Sequence, residues 1–201
     1  MDKKTVEIIR LPLILALVVV LGSAALILSH SATKEKIEEQ NRQRILNSLR
    51  LLIPDALHDN ALLDSAVEIY EPEILGHRAP MQMYQGLLQG ELQVLAVPVT
   101  ARDGYAGDIQ LMVGVTDGGE VTAVSVIAHQ ETPGLGDLIE ASKSDWLQQF
   151  PGKTLLNPEE QQWTVKKDQG AFDQITGATI TPRAVVIAIK KALSYAQEQF
   201  Q

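Results

Sequence analysis

The chain of 201 residues contains no cysteine, which excludes disulfide bonds, cysteine-ligated metal sites and cysteine nucleophiles. This absence does not by itself identify the cellular compartment. Basic residues are also few: 17 lysines and arginines stand against 25 aspartates and glutamates, so the formal net charge is -8. The acidic balance argues against nucleic acid as a partner, because nucleic-acid-binding domains usually carry a basic surface.

Several catalytic signatures are also missing. The sequence has no Gly-x-Gly-x-x-Gly or Walker loop for a nucleotide and no Gly-x-Ser-x-Gly elbow for a serine hydrolase. His129 and Glu131 stand close together, but the remaining histidines are scattered, and two ligands do not make a metal site. We therefore expect no metal site and find little support for a hydrolase or a kinase.

Formal charge is absent from Leu11 to Thr33, and Leu11 to Leu28 is almost wholly apolar. Eighteen helical residues span about 27 Å, close to the ~30 Å hydrocarbon core of a bilayer. A cleaved signal peptide usually has a shorter apolar region, so a retained anchor is favoured. We predict a cytoplasmic head at 1–10, a transmembrane anchor at 11–30 and a helical linker at 31–54. Basic residues flank both ends of the anchor, so its orientation is inferred from the short basic head before it.

The rest of the chain, 55–201, is predicted to be an α+β domain with a mixed, largely antiparallel sheet packed with helices. Asp117-Gly118-Gly119 separates two alternating segments, which predicts a hairpin of strands over Tyr105–Thr116 and Val121–Ala128. Further strands are predicted at 67–70, 92–100 and 163–168. Pro98 lies within one of them and indicates an edge position or a bulge.

Two glycine-containing loops each precede a predicted helix. The first loop, residues 131–136, leads into a predicted helix, and on the residues alone a simple strand-to-helix connection with Asp137 as the cap is slightly favoured for it. The second loop, residues 173–179, precedes a helix that we expect to have Thr181 as its cap and Pro182 at its first position. Thr179 would then lie just before a helix N-terminus, where free N–H groups and the helix dipole favour a phosphate.

The second loop resembles a known modification motif. Its residues Asp173-x-x-Thr176-Gly177-Ala178-Thr179 are similar to the flavinylation motif Asp-x-x-(Ser/Thr)-Gly-Ala-Thr of covalent FMN-binding domains. That family includes the G subunit of the Rnf (Rsx) electron transport complex and the C subunit of the sodium-translocating NADH:quinone reductase. The first loop, Glu-Thr-Pro-Gly-Leu-Gly, resembles a second signature of the same subunits. The short chain and the Thr-Gly-Ala-Thr form favour the G subunit.

The resemblance implies a cofactor and its site. In this family a flavin transferase, using FAD and magnesium, attaches FMN through a phosphoester to the last threonine of the motif, which is Thr179 here. Asp173 would be read by the transferase or would hold the loop, and the flavin would rest on the first loop against Thr132 and Leu135. The other cofactor-binding candidates are Thr176, Gly177, Ala178, Thr181, Glu131, Pro133, Gly134, Gly136 and Lys166.

The resemblance also implies a function. The chain would be a flavoprotein electron carrier of the bacterial inner membrane, with one span and a periplasmic domain. It would act with the A, B, C, D and E subunits of the complex and would not be catalytic alone. Two alternatives stay open: a quinone-reductase C subunit or another respiratory flavinylated domain, and an anchored extracytoplasmic binding or scaffold module without a cofactor.

Overall fold

The computed structural model describes residues 42, 43 and 45–200, together with residues 16, 19, 20 and 23. The predicted cytoplasmic head, most of the predicted anchor and the first part of the predicted linker lie outside the described residues. No helix within the described part of the chain is both long and apolar enough to cross a membrane. The chain divides into two compact units, Met1–Ile45 and Leu46–Gln201, and the second contains the folded domain.

The domain is built on a five-stranded sheet in which consecutive strands are neighbours and every pair is antiparallel. The strands are β1 (Val67–Ile69), β2 (Met81–Leu88), β3 (Glu91–Ala101), β4 (Ile109–Thr116) and β5 (Val121–Ala128). The predicted hairpin is confirmed, since Thr116 N–H donates to the Glu120 carbonyl at 2.9 Å across the turn. The sheet is wholly antiparallel rather than mixed, and β4 begins later than predicted.

The two faces of the sheet bury different helical segments, because side chains alternate along each strand. Val97 and Val113 belong to a core cluster that includes the buried face of the long helix α1 (Ile180–Gln199). Ala96 and Met112 belong to a second cluster with Leu49, Leu52 and Ile53 of the segment that precedes Pro54. The predicted apolar face of α1 is confirmed by the burial of Val185, Ala188, Ile189, Ala192 and Ala196.

Pro98 lies in β3, the middle strand of the sheet, although we predicted an edge position or a bulge. The ladder between β3 and β2 ends at the pair of Ala96 and Tyr84, so Pro98 lies beyond it. Pro98 still faces Met112 of β4, and its carbonyl accepts a hydrogen bond from His77 Nε2 at 2.9 Å. The missing N–H is tolerated in a middle strand because β3 has already lost one of its neighbours at this point.

The prediction of a helix after Asp137 is wrong. The chain instead forms two short 3-10 segments, Gly136–Ile139 and Trp146–Gln149. The hydroxyl of Ser144 donates to the Leu138 carbonyl and also accepts the Trp146 N–H at 3.1 Å. Local bonds of this kind compete with the hydrogen-bond ladder of a helix.

The prediction of a strand at 163–168 is also wrong. Val165 forms a single bridge to Phe172, and Lys166–Asp168 is a short 3-10 turn. Trp163 and Val165 are buried, as a strand pattern predicts, but they are buried in irregular chain. Trp163 packs on Phe172 and Phe172 stacks on Phe150, with ring centroids 4.8 and 4.9 Å apart. Aromatic packing rather than a sheet ladder accounts for the apolar residues of this segment.

Candidate functional site

The carboxylate of Glu131 fixes the first loop. Glu131 is buried, with only 5% of its surface exposed. Glu131 Oε1 accepts the Ala106 N–H at 3.0 Å, and Oε2 accepts the hydroxyl proton of Thr181. The Glu131 N–H donates to His129 Nδ1 at 3.0 Å. One side chain therefore joins the loop between β3 and β4, the first loop and the start of α1.

The prediction that Thr181 caps the last helix is wrong. The helix α1 begins at Ile180, so Thr179 takes the capping position, and its side chain makes no capping bond. Thr181 and Pro182 lie inside the first turn and are buried. Pro182 is tolerated there because the first four N–H groups of a helix have no partner within the helix. The Thr181 hydroxyl bonds to Glu131 because a buried carboxylate must be matched by a donor.

The second loop approaches the first at Gly177. Gly177 has φ +84°, which is unfavourable for residues with a side chain, and a Cβ at this position would lie 2.8 Å from Leu135 Cδ2. The Ala178 N–H donates to the Ile175 carbonyl at 3.1 Å and closes the turn. The backbone conformation is what favours glycine here, since the Leu135 methyl group is the end of an exposed side chain that can turn away.

A cavity of about 250 Å³ lies between the two loops. It is lined by Tyr105, Glu131, Thr132, Leu135, Gly136, Gly177, Ala178, Thr179, Ile180 and Thr181. The structure thus brings together most of the predicted cofactor-binding residues from two distant parts of the sequence. The predicted residues that do not line the cavity are Pro133, Gly134, Asp173, Thr176 and Lys166.

A larger groove of about 520 Å³ lies beside the end of α1, away from both loops. Its walls include Glu159, Glu160 and Glu198, with Leu155 and Leu156. Three carboxylates make this groove a poor site for a phosphorylated ligand, because like charges repel. The smaller cavity between the loops is therefore the better candidate.

Thr179 is exposed at the edge of the cavity, and its hydroxyl makes no hydrogen bond within the described part of the chain. Its carbonyl accepts a hydrogen bond from Arg183 Nη1 at 3.4 Å. Arg183 is also paired with Asp168, with 2.8 Å between Nη2 and Oδ1. This hydrogen-bonded pair raises the pKa of Arg183 and lowers the pKa of Asp168. A free hydroxyl and a guanidinium thus lie together at the start of α1.

Asp173, the first residue of the motif, is held by three neighbours outside the cavity. Its N–H donates to Gln149 Oε1 at 2.6 Å, and its carbonyl accepts the Trp146 indole N–H at 2.7 Å. Its carboxylate pairs with Lys166, with 2.5 Å between Oδ1 and Nζ. Lys166, predicted as a cofactor contact, therefore reaches the motif through Asp173 rather than through the cavity.

The first loop is braced by a charged cluster centred on Lys143. The Lys143 ammonium lies 2.9 Å from Asp137 Oδ2 and 2.5 Å from Glu140 Oε1, and His129 Nε2 bonds to Glu140 at 2.9 Å. Hydrogen bonding to Lys143 lowers the pKa of both carboxyls and raises the pKa of the ammonium. Within the residues described, no group of three histidine, aspartate or glutamate side chains is arranged to hold a metal ion.

Replacing Lys143 is expected to change how stability depends on pH. Carboxyls with lowered folded-state pKa stabilise the fold above their ordinary pKa of about 4, and this stability is lost as the pH falls through the lowered values. Lys143→Gln should therefore lower the urea midpoint at neutral pH and flatten its decline in acid. Lys191→Gln is the control, since Lys191 forms no ion pair among the described residues. Parallel curves for Lys143→Gln and the unsubstituted chain would contradict this reading.

Sequence reasoning missed Tyr105 and Ile180, which both line the cavity. Tyr105 follows a turn between two strands, and nothing in the local pattern indicates that this turn returns to the first loop. The contact is made by the bond from Ala106 to Glu131, which joins residues 25 positions apart. Only a long-range pairing signal could have found it.

The residues present fit an FMN group. Thr179 offers an exposed hydroxyl, Arg183 offers a cation beside it, and Leu135 with Tyr105 offers apolar and aromatic surface. Ligand cavities usually measure about 300–1,000 Å³. The cavity of about 250 Å³ therefore suits a ligand that is held partly outside it, as a group tethered at an exposed residue would be.

The family of FMN-binding domains matches residues 104–194. The G subunit of the ion-translocating oxidoreductase complex of Shewanella baltica (strain OS223) is 44% identical over 182 residues, covering 90% of this chain and 86% of that one. The corresponding G subunit of Pseudomonas aeruginosa (strain UCBPP-PA14) is 45% identical over 189 residues, covering 94% and 88%. The crystal structure of Shewanella oneidensis NqrC aligns with 73% of this chain and 72% of that one, with 20% identity and a TM-score of 0.48. The chain belongs to the family of G subunits of ion-translocating oxidoreductase complexes, and it contains the FMN-binding domain of that family.

Proposed function

We propose that this chain is a membrane-anchored electron carrier of an Rnf-type complex and that it carries FMN as a phosphoester on Thr179. The observation that supports this most is the position of the Thr179 side chain. It is exposed, it has no hydrogen-bond partner among the described residues, and it lines the cavity that the two loops share. A side chain that must react with an incoming group requires this accessibility.

In the attachment step Thr179 Oγ1 would bond to the phosphorus of the FMN half of FAD as the pyrophosphate bond breaks. AMP would leave, and the hydroxyl proton would pass to solvent. A flavin transferase with magnesium would catalyse this step. The hydroxyl has no hydrogen bond to a described residue to give up, so the described domain does not have to unfold locally to present it.

FMN supplies electron transfer when it is bound, and the chain supplies its position and surroundings. The start of α1 and Arg183 would hold the phosphate, because helix N-terminal N–H groups and a guanidinium both favour negative charge. Leu135 would present an apolar surface to the ring beside Gly177. Glu131 acts indirectly by holding the first loop against α1.

The location is part of the same proposal. We place residues 1–10 in the cytoplasm, one span at 11–30 in the bacterial inner membrane, and the domain in the periplasm. A covalent tether is useful outside the cytoplasm, where a lost cofactor could not readily be replaced. The proposed partners are the A, B, C, D and E subunits and the flavin transferase; the relatives named above are subunits of such a complex.

The alternative of a quinone-reductase C subunit is less well supported, because the relatives that match nearly the whole chain are G subunits. The alternative of a scaffold module without a cofactor differs in a property that is easily measured. Full-length chain co-expressed with a flavin transferase should keep its flavin fluorescence on a denaturing gel. Its intact mass should exceed the calculated mass by FMN less one water. Flavin that is released on denaturation would contradict the covalent link, and a chain without any flavin would favour the scaffold.

A further inference from the structure

Tyr105 is a large aromatic side chain that the fold itself hardly uses. The residue is 67% exposed, and its hydroxyl forms no hydrogen bond with any described residue. Nevertheless it lines the cavity between the two loops. Aromatic side chains contribute most when their surface is covered, so an uncovered ring at a ligand cavity indicates a role in binding.

The backbone on both sides of Tyr105 is held in place. The Ala106 N–H donates to Glu131 Oε1 at 3.0 Å. A Cβ on Gly104 would lie 2.2 Å from the Gly107 carbonyl oxygen and 3.0 Å from Glu131 Oε1, so the turn is closed tightly before Tyr105. The fold therefore fixes where the ring begins, while the ring forms no hydrogen bond or aromatic contact with the residues that the structure describes.

We infer that the Tyr105 ring packs on the flavin and shields part of it from water. This inference rests on the proposed function, because it requires FMN on Thr179. Tyr105 is the one aromatic residue among those that line the described cavity, where it is joined by Leu135 and Gly177. A stacked aromatic contact shifts the equilibrium between flavin covered by the ring and flavin open to water by about twofold to tenfold.

Tyrosine and flavin in contact have a spectroscopic signature. A phenol in contact with excited flavin quenches the fluorescence, because an electron passes from the phenol to the flavin and then returns. Tyr105 would therefore both cover the flavin and quench it. Phenylalanine at this position would cover the flavin without quenching its fluorescence. Tryptophan would cover the flavin and quench it, and alanine would neither cover nor quench it.

The test uses full-length chain loaded by co-expression with the transferase. The variants are Tyr105→Ala, Tyr105→Phe and Tyr105→Trp. Tyr70→Ala is the matched control, because Tyr70 is also exposed (52%) but does not line the cavity. Flavin fluorescence is measured on each native sample and again after the same sample is denatured. The ratio of native to denatured fluorescence does not depend on how much FMN a variant carries. Iodide quenching of the native sample is a second measurement, and it reports the exposure of the flavin to solvent.

Tyr105→Ala should raise the native-to-denatured ratio and the iodide quenching constant by about twofold to tenfold. Tyr105→Phe should raise the native-to-denatured fluorescence ratio but leave the iodide quenching constant unchanged. The ratio of Tyr105→Trp should lie at or below the wild-type ratio, and the ratio of Tyr70→Ala should equal the wild-type ratio. Wild-type values of both quantities in Tyr105→Ala would overturn the inference. If Tyr105→Ala carries no FMN, identical fluorescence ratios in the wild-type, Tyr105→Phe and Tyr105→Trp proteins would overturn the inference. A wild-type chain that loses all flavin on denaturation would contradict attachment at Thr179 instead.

Discussion

Thr179→Ala should abolish covalent flavin while leaving the fold intact. The side chain is exposed and unbonded among the described residues, so its removal creates no cavity and orphans no buried group. Alanine lacks the only atom that can accept the phosphorus, so the loss should be complete rather than partial. The measurement is in-gel flavin fluorescence after co-expression with the transferase, together with the urea midpoint of the same samples.

Two further variants serve as controls for Thr179→Ala. Thr176→Ala should keep its flavin, because Thr176 belongs to the same motif but does not line the cavity. Thr179→Ser should regain at least part of the flavin, since serine restores a hydroxyl. Full labelling of Thr179→Ala, or loss of labelling only in Thr176→Ala, would show that the acceptor is a different residue.

Glu131→Ala should have the largest effect on stability among the site variants. It leaves the Ala106 N–H and the Thr181 hydroxyl without their buried acceptor. Ala106 is exposed, so its N–H can bond to water instead, but the Thr181 hydroxyl is buried and its loss of an acceptor costs about 1–3 kcal/mol, against a total stability of about 5–15 kcal/mol for a typical domain. We expect a clear fall in the urea midpoint and a parallel fall in flavin yield, because three segments of the site lose their common bond.

Glu131→Gln separates hydrogen bonding from charge. The amide keeps one acceptor for Ala106, and its NH₂ group can donate to the Thr181 hydroxyl, so most of the stability should return. Equal destabilisation by alanine and glutamine would mean that the negative charge itself is required. An unchanged midpoint in Glu131→Ala would contradict the role of Glu131 as the link between the loops.

The elements that were predicted correctly are those specified by nearby residues. The apolar face of α1 repeats at helical spacing, and Asp117-Gly118-Gly119 marks the turn between β4 and β5. The pairing of the two loops was also anticipated, but through the resemblance of their motifs rather than through any pattern of burial. The cavity between Leu135 and Gly177 agrees with that pairing.

The features that were missed depend on contacts between distant residues. Thr181 has the chemistry of a helix cap, but the buried carboxylate of Glu131, 50 residues away, takes its hydroxyl. Trp163 and Val165 alternate as in a strand, but their burial comes from irregular chain and aromatic packing. Tyr105 reaches the site only because its neighbour bonds to Glu131. Local propensity cannot report such contacts, because tertiary partners decide them.

The central claim is that FMN is joined to Thr179, and a peptide fragmentation spectrum tests it most directly. Trypsin should release Asp168–Arg183, which contains Thr176, Thr179 and Thr181 on one peptide. After co-expression with the transferase, the fragment ions should place the added mass of FMN less one water on Thr179. The same mass on Thr176 or Thr181, or an unmodified peptide from yellow protein, would contradict the account.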